Sequence, residues 1–186
     1  DYFLATSTAE PSPVAGLHND IVVPFYTCVF SVSNTKKQIL ASFDAAASGS
    51  TKYSSSSAYM RYAAAVSAFD LRYYVGDDVG RLHALKFKSN GRLVEKWRGD
   101  TPCKCGIISS PVVLGDGTIV VLTKEIQGTS AGARSFMVGF SKPEVAVKTK
   151  GQRIFSVSMS EDDDLLDSIY DSKEGAQHIV DQRGRI

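Results

Sequence analysis

The sequence is short of tryptophan, cysteine and histidine, with one, three and three respectively, and it has no excess of either charge, 21 Lys and Arg standing against 20 Asp and Glu. Each scarcity excludes something. Balanced charge excludes the concentrated basic face that duplex nucleic acid requires, so nucleic acid is not an expected partner. The apolar stretch over residues 21–32 is broken by Pro24, Thr27 and Ser31 and falls short of the roughly 20 residues of a membrane span. No membrane span is expected. Cys28, Cys103 and Cys105 make an odd set, and Cys103-Lys104-Cys105 is tighter than the Cys-x-x-Cys spacing of redox and zinc sites. Unpaired or loop cysteines are expected, with a tight local disulfide or an unusual redox pair as the alternatives.

What is present is an ordinary globular composition. Of 186 residues, 43% are hydrophobic and 22% charged, enough apolar surface to offset chain entropy and to bury roughly 70% of the unfolded surface. The chain starts at Asp1, which predicts either a cleaved targeting segment or a piece of a longer protein. Residues 1–20, with Pro11, Pro13 and Gly16, read as an extended N-terminal arm. A Ser-rich insertion occupies residues 45–62, and residues 59–66 could form a short helical turn. Elsewhere the chain reads as short strands rich in Val, Ile, Tyr and Phe bounded by Gly, Asp, Asn or Ser: residues 21–23, 26–32, 71–75, 81–87, 112–113, 118–122, 135–140, 145–148 and 154–159.

Self-comparison reveals a repeat. Residues 63–97 break into strand, Asp turn, strand, Gly turn, strand, Asn90-Gly91 turn and strand; residues 107–148 follow the same order through Asp116-Gly117. Residues 26–43 supply the last two strands of an earlier unit, and residues 154–159, 165–170 and 177–181 begin a later one. Three to four consecutive four-stranded antiparallel units predict an all-β protein of stacked β-propeller blades over residues 21–186, in an incomplete ring.

Val75-Gly76-Asp77-Asp78-Val79-Gly80-Arg81-Leu82-His83-Ala84-Leu85 and Ile108-Ser109-Ser110-Pro111-Val112-Val113-Leu114-Gly115-Asp116-Gly117-Thr118-Ile119-Val120-Val121 resemble the repeat of the pyrroloquinoline-quinone-like (PQQ-like) propeller family. The likeness covers residues 63–122 well and residues 21–43 and 133–181 loosely. Trp97 lies two residues later than the docking Trp of that family. The resemblance implies blades and a location in an extracytoplasmic space or an organelle lumen. Enzymes of the family hold a quinone and calcium at the ring axis beside adjacent cysteines; no position here matches those ligands, so no cofactor is expected.

The candidate sites divide between chemistry and packing. Asp77-Asp78 could be a calcium pair, but two carboxylates in a turn are more often solvated and accept backbone N–H groups; no metal is expected. His83 reads as a hydrogen-bonded core residue rather than a catalytic base, and His18 and His178 have no visible partners. Gly128-Thr129-Ser130-Ala131-Gly132 reads as a flexible loop, and phosphate-cradling loops are absent. No catalytic residue is assigned and no small-molecule substrate is evident. The acidic run Glu161-Asp162-Asp163-Asp164 and the basic residues Lys36, Lys37, Lys148, Lys150 and Arg153 read as solvated surface, and Tyr73-Tyr74 as strand core. Tyr53, Tyr59 and Tyr62 mark a candidate binding loop, since Tyr offers contact area at low entropy cost. The expected function is a non-catalytic propeller scaffold that binds other protein subunits in a larger assembly. The alternatives are a fragment of a quinone-dependent oxidoreductase and a luminal sensor of extended peptides.

Overall fold

A computed structural model describes residues 13–45, 59–60, 62–88, 90–102, 105–125, 135–142 and 150–159. Among the described residues there are strands and turns and no helix. The first sheet holds β1 (Val14–Ala15), β2 (Asp20–Phe25), β3 (Cys28–Ser33) and β4 (Ile39–Asp44); the second holds β5 (Ala65–Ser67), β6 (Arg72–Gly76), β7 (Arg81–Lys88) and β8 (Arg92–Asp100). The third holds β9 (Gly106–Ile107), β10 (Val112–Val113), β11 (Ile119–Lys124), β12 (Ser135–Ser141) and β13 (Gln152–Met159). Each is an antiparallel meander in chain order, with β9 added beside β11. All-β architecture and four-stranded antiparallel sheets are as expected from the sequence.

Several boundaries differ. The first unit is complete: Val14 and Ala15, in the stretch read as an arm, pair with Val22 and Ile21. Residues 152–159 close the third sheet by pairing with β12 instead of opening a fourth unit; residues 145–148, 165–170 and 177–181 lie outside the described residues. Tyr26 leaves the expected strand because it takes φ 52° in the hairpin turn between β2 and β3. Ala65 and Val66, at the end of the expected helical turn, lie in β5 instead. Cys105 is disulfide-bonded and only Cys28 is a free thiol among the described residues, so the local-disulfide alternative describes Cys105 better; Cys103 is outside them.

The three sheets share one register. Ser31, Ala84 and Gly139 occupy equivalent places on the third strand of their meanders, each opposite Ala41, Trp97 and Phe155 on the fourth. Immediately past each of these pairs the register shifts by one residue, leaving Leu40, Lys96 and Ile154 as the extra residues of a bulge. The first hairpin repeats too: Asn19, Leu71 and Gly117 stand at the same position before the second strand, with φ 55°, 55° and 85°. Gly117 adopts this left-handed conformation without a steric penalty. The connectors follow suit. The N–H groups of Met60 and Ile107, each on the way into the next sheet, donate to the carbonyls of Tyr26 and Asp77 in the turn of the sheet being left.

Strands alternate their side chains between two faces, and the faces stack. On the side facing the preceding sheet, here the near face, Ile21, Val23, Phe30 and Val32 correspond to Tyr73, Val75, His83 and Leu85, and to Ile119, Val121, Val138 and Phe140. The opposite, far face of the first sheet offers Val22, Val29, Ala41 and Phe43, which form one core with Tyr73, Val75 and Leu85. The far face of the second sheet offers Tyr74, Leu82, Ala84 and Trp97, which form another with Ile119, Val121, Val138 and Phe140. The middle sheet is thus buried on both faces. A Cβ on Gly99 would overlap the Phe140 ring, so that close approach in the second seam needs glycine.

Candidate functional site

The turn between β6 and β7 and the strand it leads into hold the two described charged side chains with no solvent exposure, Asp77 and His83. Asp77, with no solvent exposure, accepts the backbone N–H groups of Val79 at 3.2 Å and Arg81 at 2.7 Å through Oδ1. Its Oδ2 accepts Arg81 Nε at 2.6 Å and faces His83 Nε2 at 3.1 Å. The other ring nitrogen, His83 Nδ1, lies 2.6 Å from Glu95 Oε1 on β8. An imidazole with a carboxylate at each nitrogen donates from both only when protonated. Two cations and two anions therefore interleave as Arg81, Asp77, His83 and Glu95.

The geometry sets the protonation states. Burial alone would push the His83 imidazole pKa down, but hydrogen bonds and charge from Asp77 and Glu95 raise it above the ordinary histidine value. Burial alone would raise the Asp77 pKa, but His83 and Arg81 hold it below the ordinary carboxylate value. His83 is wholly enclosed, and the Phe43 ring of the first sheet lies 5.5 Å from it. Such an arrangement fixes β7 to β8 and closes the turn; it leaves the imidazole no face for a substrate. Of the turn pair, Asp77 is buried rather than solvated and Asp78 is half-buried, while both accept backbone N–H groups as expected. Asp78 Oδ1 accepts the Tyr59 N–H at 2.9 Å, and Tyr59 O accepts the Asp78 N–H at 3.0 Å, so this turn fastens the connector from the first sheet while the Asp77 carbonyl fastens the connector to the third.

A second polar cluster joins the first two sheets. Asp20, buried, accepts the Ser31 hydroxyl and lies 3.3 Å from the Tyr73 hydroxyl. Burial first, opposed by the Leu17 N–H bond and reinforced by Asp20, pushes the Tyr73 pKa up to about 12. Tyr74 bonds Asp70 through its hydroxyl. Both tyrosines are core, as expected.

The candidate binding loop is divided by the structure. Tyr59 is half-buried and meets the Tyr26 ring edge-on at 5.9 Å, whereas Tyr62 packs against Ile108 and Leu122; Tyr53 lies outside the described residues. Tyr26, not singled out from the sequence, is 40% exposed beside Tyr59, and its place in a two-residue hairpin was the available signal. His18 stacks on Phe87 at 5.0 Å, while His178 is outside the described residues. Lys36, Lys37, Lys150 and Arg153 are exposed, as expected; Lys148 and the acidic run 161–164 are outside. Residues 128–132, read from the sequence as a flexible loop, lie outside the described residues. Among the described residues no three His, Cys, Asp or Glu side chains converge to hold a metal, and Asp77 and Glu95 stand on different edges of the His83 ring. No helix there is long and apolar enough to cross a membrane.

No family model matches the chain, and no curated protein matches it.

Proposed function

We propose that this chain is a segment of a PQQ-like β-propeller that serves as a non-catalytic scaffold, binding other protein subunits in a larger assembly. The observation that carries the reading is the stacking: a four-stranded meander buried on both faces by neighbours of its own kind, joined through the same positions at each seam. Blades of a propeller need neighbours in this way because no single sheet can cover both of its apolar faces. Enclosure of His83 and Asp77 within a structural ion network supports a binding rather than a catalytic role, since a general base must reach its substrate. An extracytoplasmic or luminal location belongs to the same reading and rests on the resemblance alone. The test is the mass of the native particle, by light scattering coupled to gel filtration on protein isolated from its source. Co-elution with further chains is expected; elution at the mass of a single chain would sink the scaffold reading.

A further inference from the structure

The turn between β7 and β8 is built from a pair of residues that react with each other. The sequence holds three asparagines, Asn19, Asn34 and Asn90, and all three are exposed. Asparagine is thermolabile, because its side-chain amide can be attacked by the backbone nitrogen of the next residue. A side chain on that residue shields the nitrogen. Asn19 precedes Asp20 and Asn34 precedes Thr35, whereas Asn90 precedes Gly91, which has no Cβ and is itself exposed. The fold demands this glycine. Gly91 sits at φ 75°, its N–H donates to the Lys88 carbonyl at 3.0 Å, and a Cβ there would lie 3.1 Å from the Leu40 carbonyl oxygen of the first sheet. Backbone geometry and close approach together leave no room for a shielding side chain.

We infer that Asn90 is a site of spontaneous covalent modification, converting to iso-aspartate in the turn that abuts the first sheet. The Gly91 nitrogen gives up its proton and bonds to Asn90 Cγ, the Cγ–Nδ2 bond breaks, and the amide leaves as ammonia. Water then opens the five-membered succinimide. Cleavage at the former Asn90 backbone carbonyl leaves the chain running through Cγ as iso-aspartate; cleavage at Cγ gives aspartate. Water is the only co-reactant, and nothing is oxidised or reduced. The hairpin between β10 and β11 is the internal comparison. Gly117 has φ 85° and donates its N–H to Leu114 at 3.0 Å, but Asp116 precedes it. The Asp116 carboxylate accepts the Thr118 N–H at 2.8 Å, and hydrogen bonds from Thr118 hold its pKa below the ordinary carboxylate value. Ionised, it offers no leaving group. Iso-aspartate at position 90 would insert a methylene beside Leu40 and place a new charge between the paired Lys88 and Arg92.

The test ages the full folded chain in mildly alkaline buffer and follows its peptides by mass spectrometry. Methyl transfer by protein isoaspartate methyltransferase distinguishes iso-aspartate from aspartate. Asn90 is expected to lose its amide while Asn19 and Asn34 keep theirs, with iso-aspartate in excess and none at Asp116. Asn90→Asp adds the charge without lengthening the backbone, so it is expected to keep the wild-type thermal midpoint while the aged iso-aspartyl form melts lower. An Asn90 that stays intact in the folded chain but converts in urea would show that the turn protects it and would overturn the inference. Equal loss at all three asparagines would overturn it too, and an aged form that melts with Asn90→Asp would overturn the effect on the first sheet.

Discussion

The two seams of this molecule share a geometry and differ in chemistry. Phe30, His83 and Val138 occupy one position on three successive sheets. In the seam between the first and second sheets that position holds a charged imidazole tied to Asp77 and Glu95; in the seam between the second and third it holds an aliphatic side chain packed with Tyr74, Leu82 and Trp97. The first seam thus carries an ion network on its second-sheet side, whereas the second packs by shape alone. Buried ion pairs contribute little net stability yet are costly to break, because the surviving partner is left uncompensated. Aromatic seams lose stability in proportion to the volume removed.

The largest effect is expected where shape alone operates. Trp97→Ala removes a 1% exposed indole that lies 5.7 Å from the Tyr74 ring and should cost about 3–5 kcal/mol in urea unfolding. His83→Val, which copies the second seam into the first, should still cost about 3 kcal/mol, at the lower end because Glu95 is 23% exposed and can rehydrate. A neutral His83→Val would show that the network contributes nothing. The same network gives the first seam a pH dependence that the second lacks. The His83 pKa is raised on folding, so its contribution is fully present below the unfolded value of about 6.5 and is lost as pH rises through the folded value. The Asp77 pKa is lowered, so its contribution is present above about 3.9 and lost as pH falls through the folded value. Thermal unfolding between pH 3 and 10 should decline on both sides of that interval, and the alkaline decline should diminish in His83→Val. A wild-type curve flat on the alkaline side would refute the assigned charge state.

The smallest expected change concerns the hairpins that lead into each seam. Asn19, Leu71 and Gly117 share a left-handed φ, a conformation costing an ordinary L-residue about 1–2 kcal/mol. Leu71→Gly relieves that strain against the added chain entropy of glycine and should stabilise the fold by about 0.5 kcal/mol. Gly117→Ala should cost about 1 kcal/mol. Denaturation midpoints measured in parallel would separate these signs, and a loss of stability in Leu71→Gly would show that the half-exposed Leu71 side chain contributes more than its backbone strain costs.

Legibility in the sequence followed the strength of local chemistry. Asp116-Gly117 and Asn90-Gly91 were readable because the glycines sit at φ 85° and 75°, where few other residues fit. Leu71 hid the same turn because nothing in its chemistry announces a left-handed backbone. Strands with β-branched runs, such as Ile119–Lys124, were clear, whereas Val14–Ala15 is two residues long and has no period to detect. The membership of Gln152–Met159 was decided by pairing with β12, which no local pattern encodes. At the site, His83 read correctly as a hydrogen-bonded core residue. Asp77 did not read as buried, because an aspartate in a turn looks the same wet or dry; Arg81 and His83 on the following strand were its partners, and only the fold brings Glu95 to the far side of the ring.

The repeated bulge bears on a hazard common to sheet proteins. β4, β8 and β13 each end a sheet, and a straight edge strand offers a row of unsatisfied N–H and C=O groups on which a foreign strand can template itself. The extra residue at Leu40, Lys96 and Ile154 breaks that row near its middle and twists it out of line. Strand-by-strand growth into fibrils is thereby discouraged at these three edges.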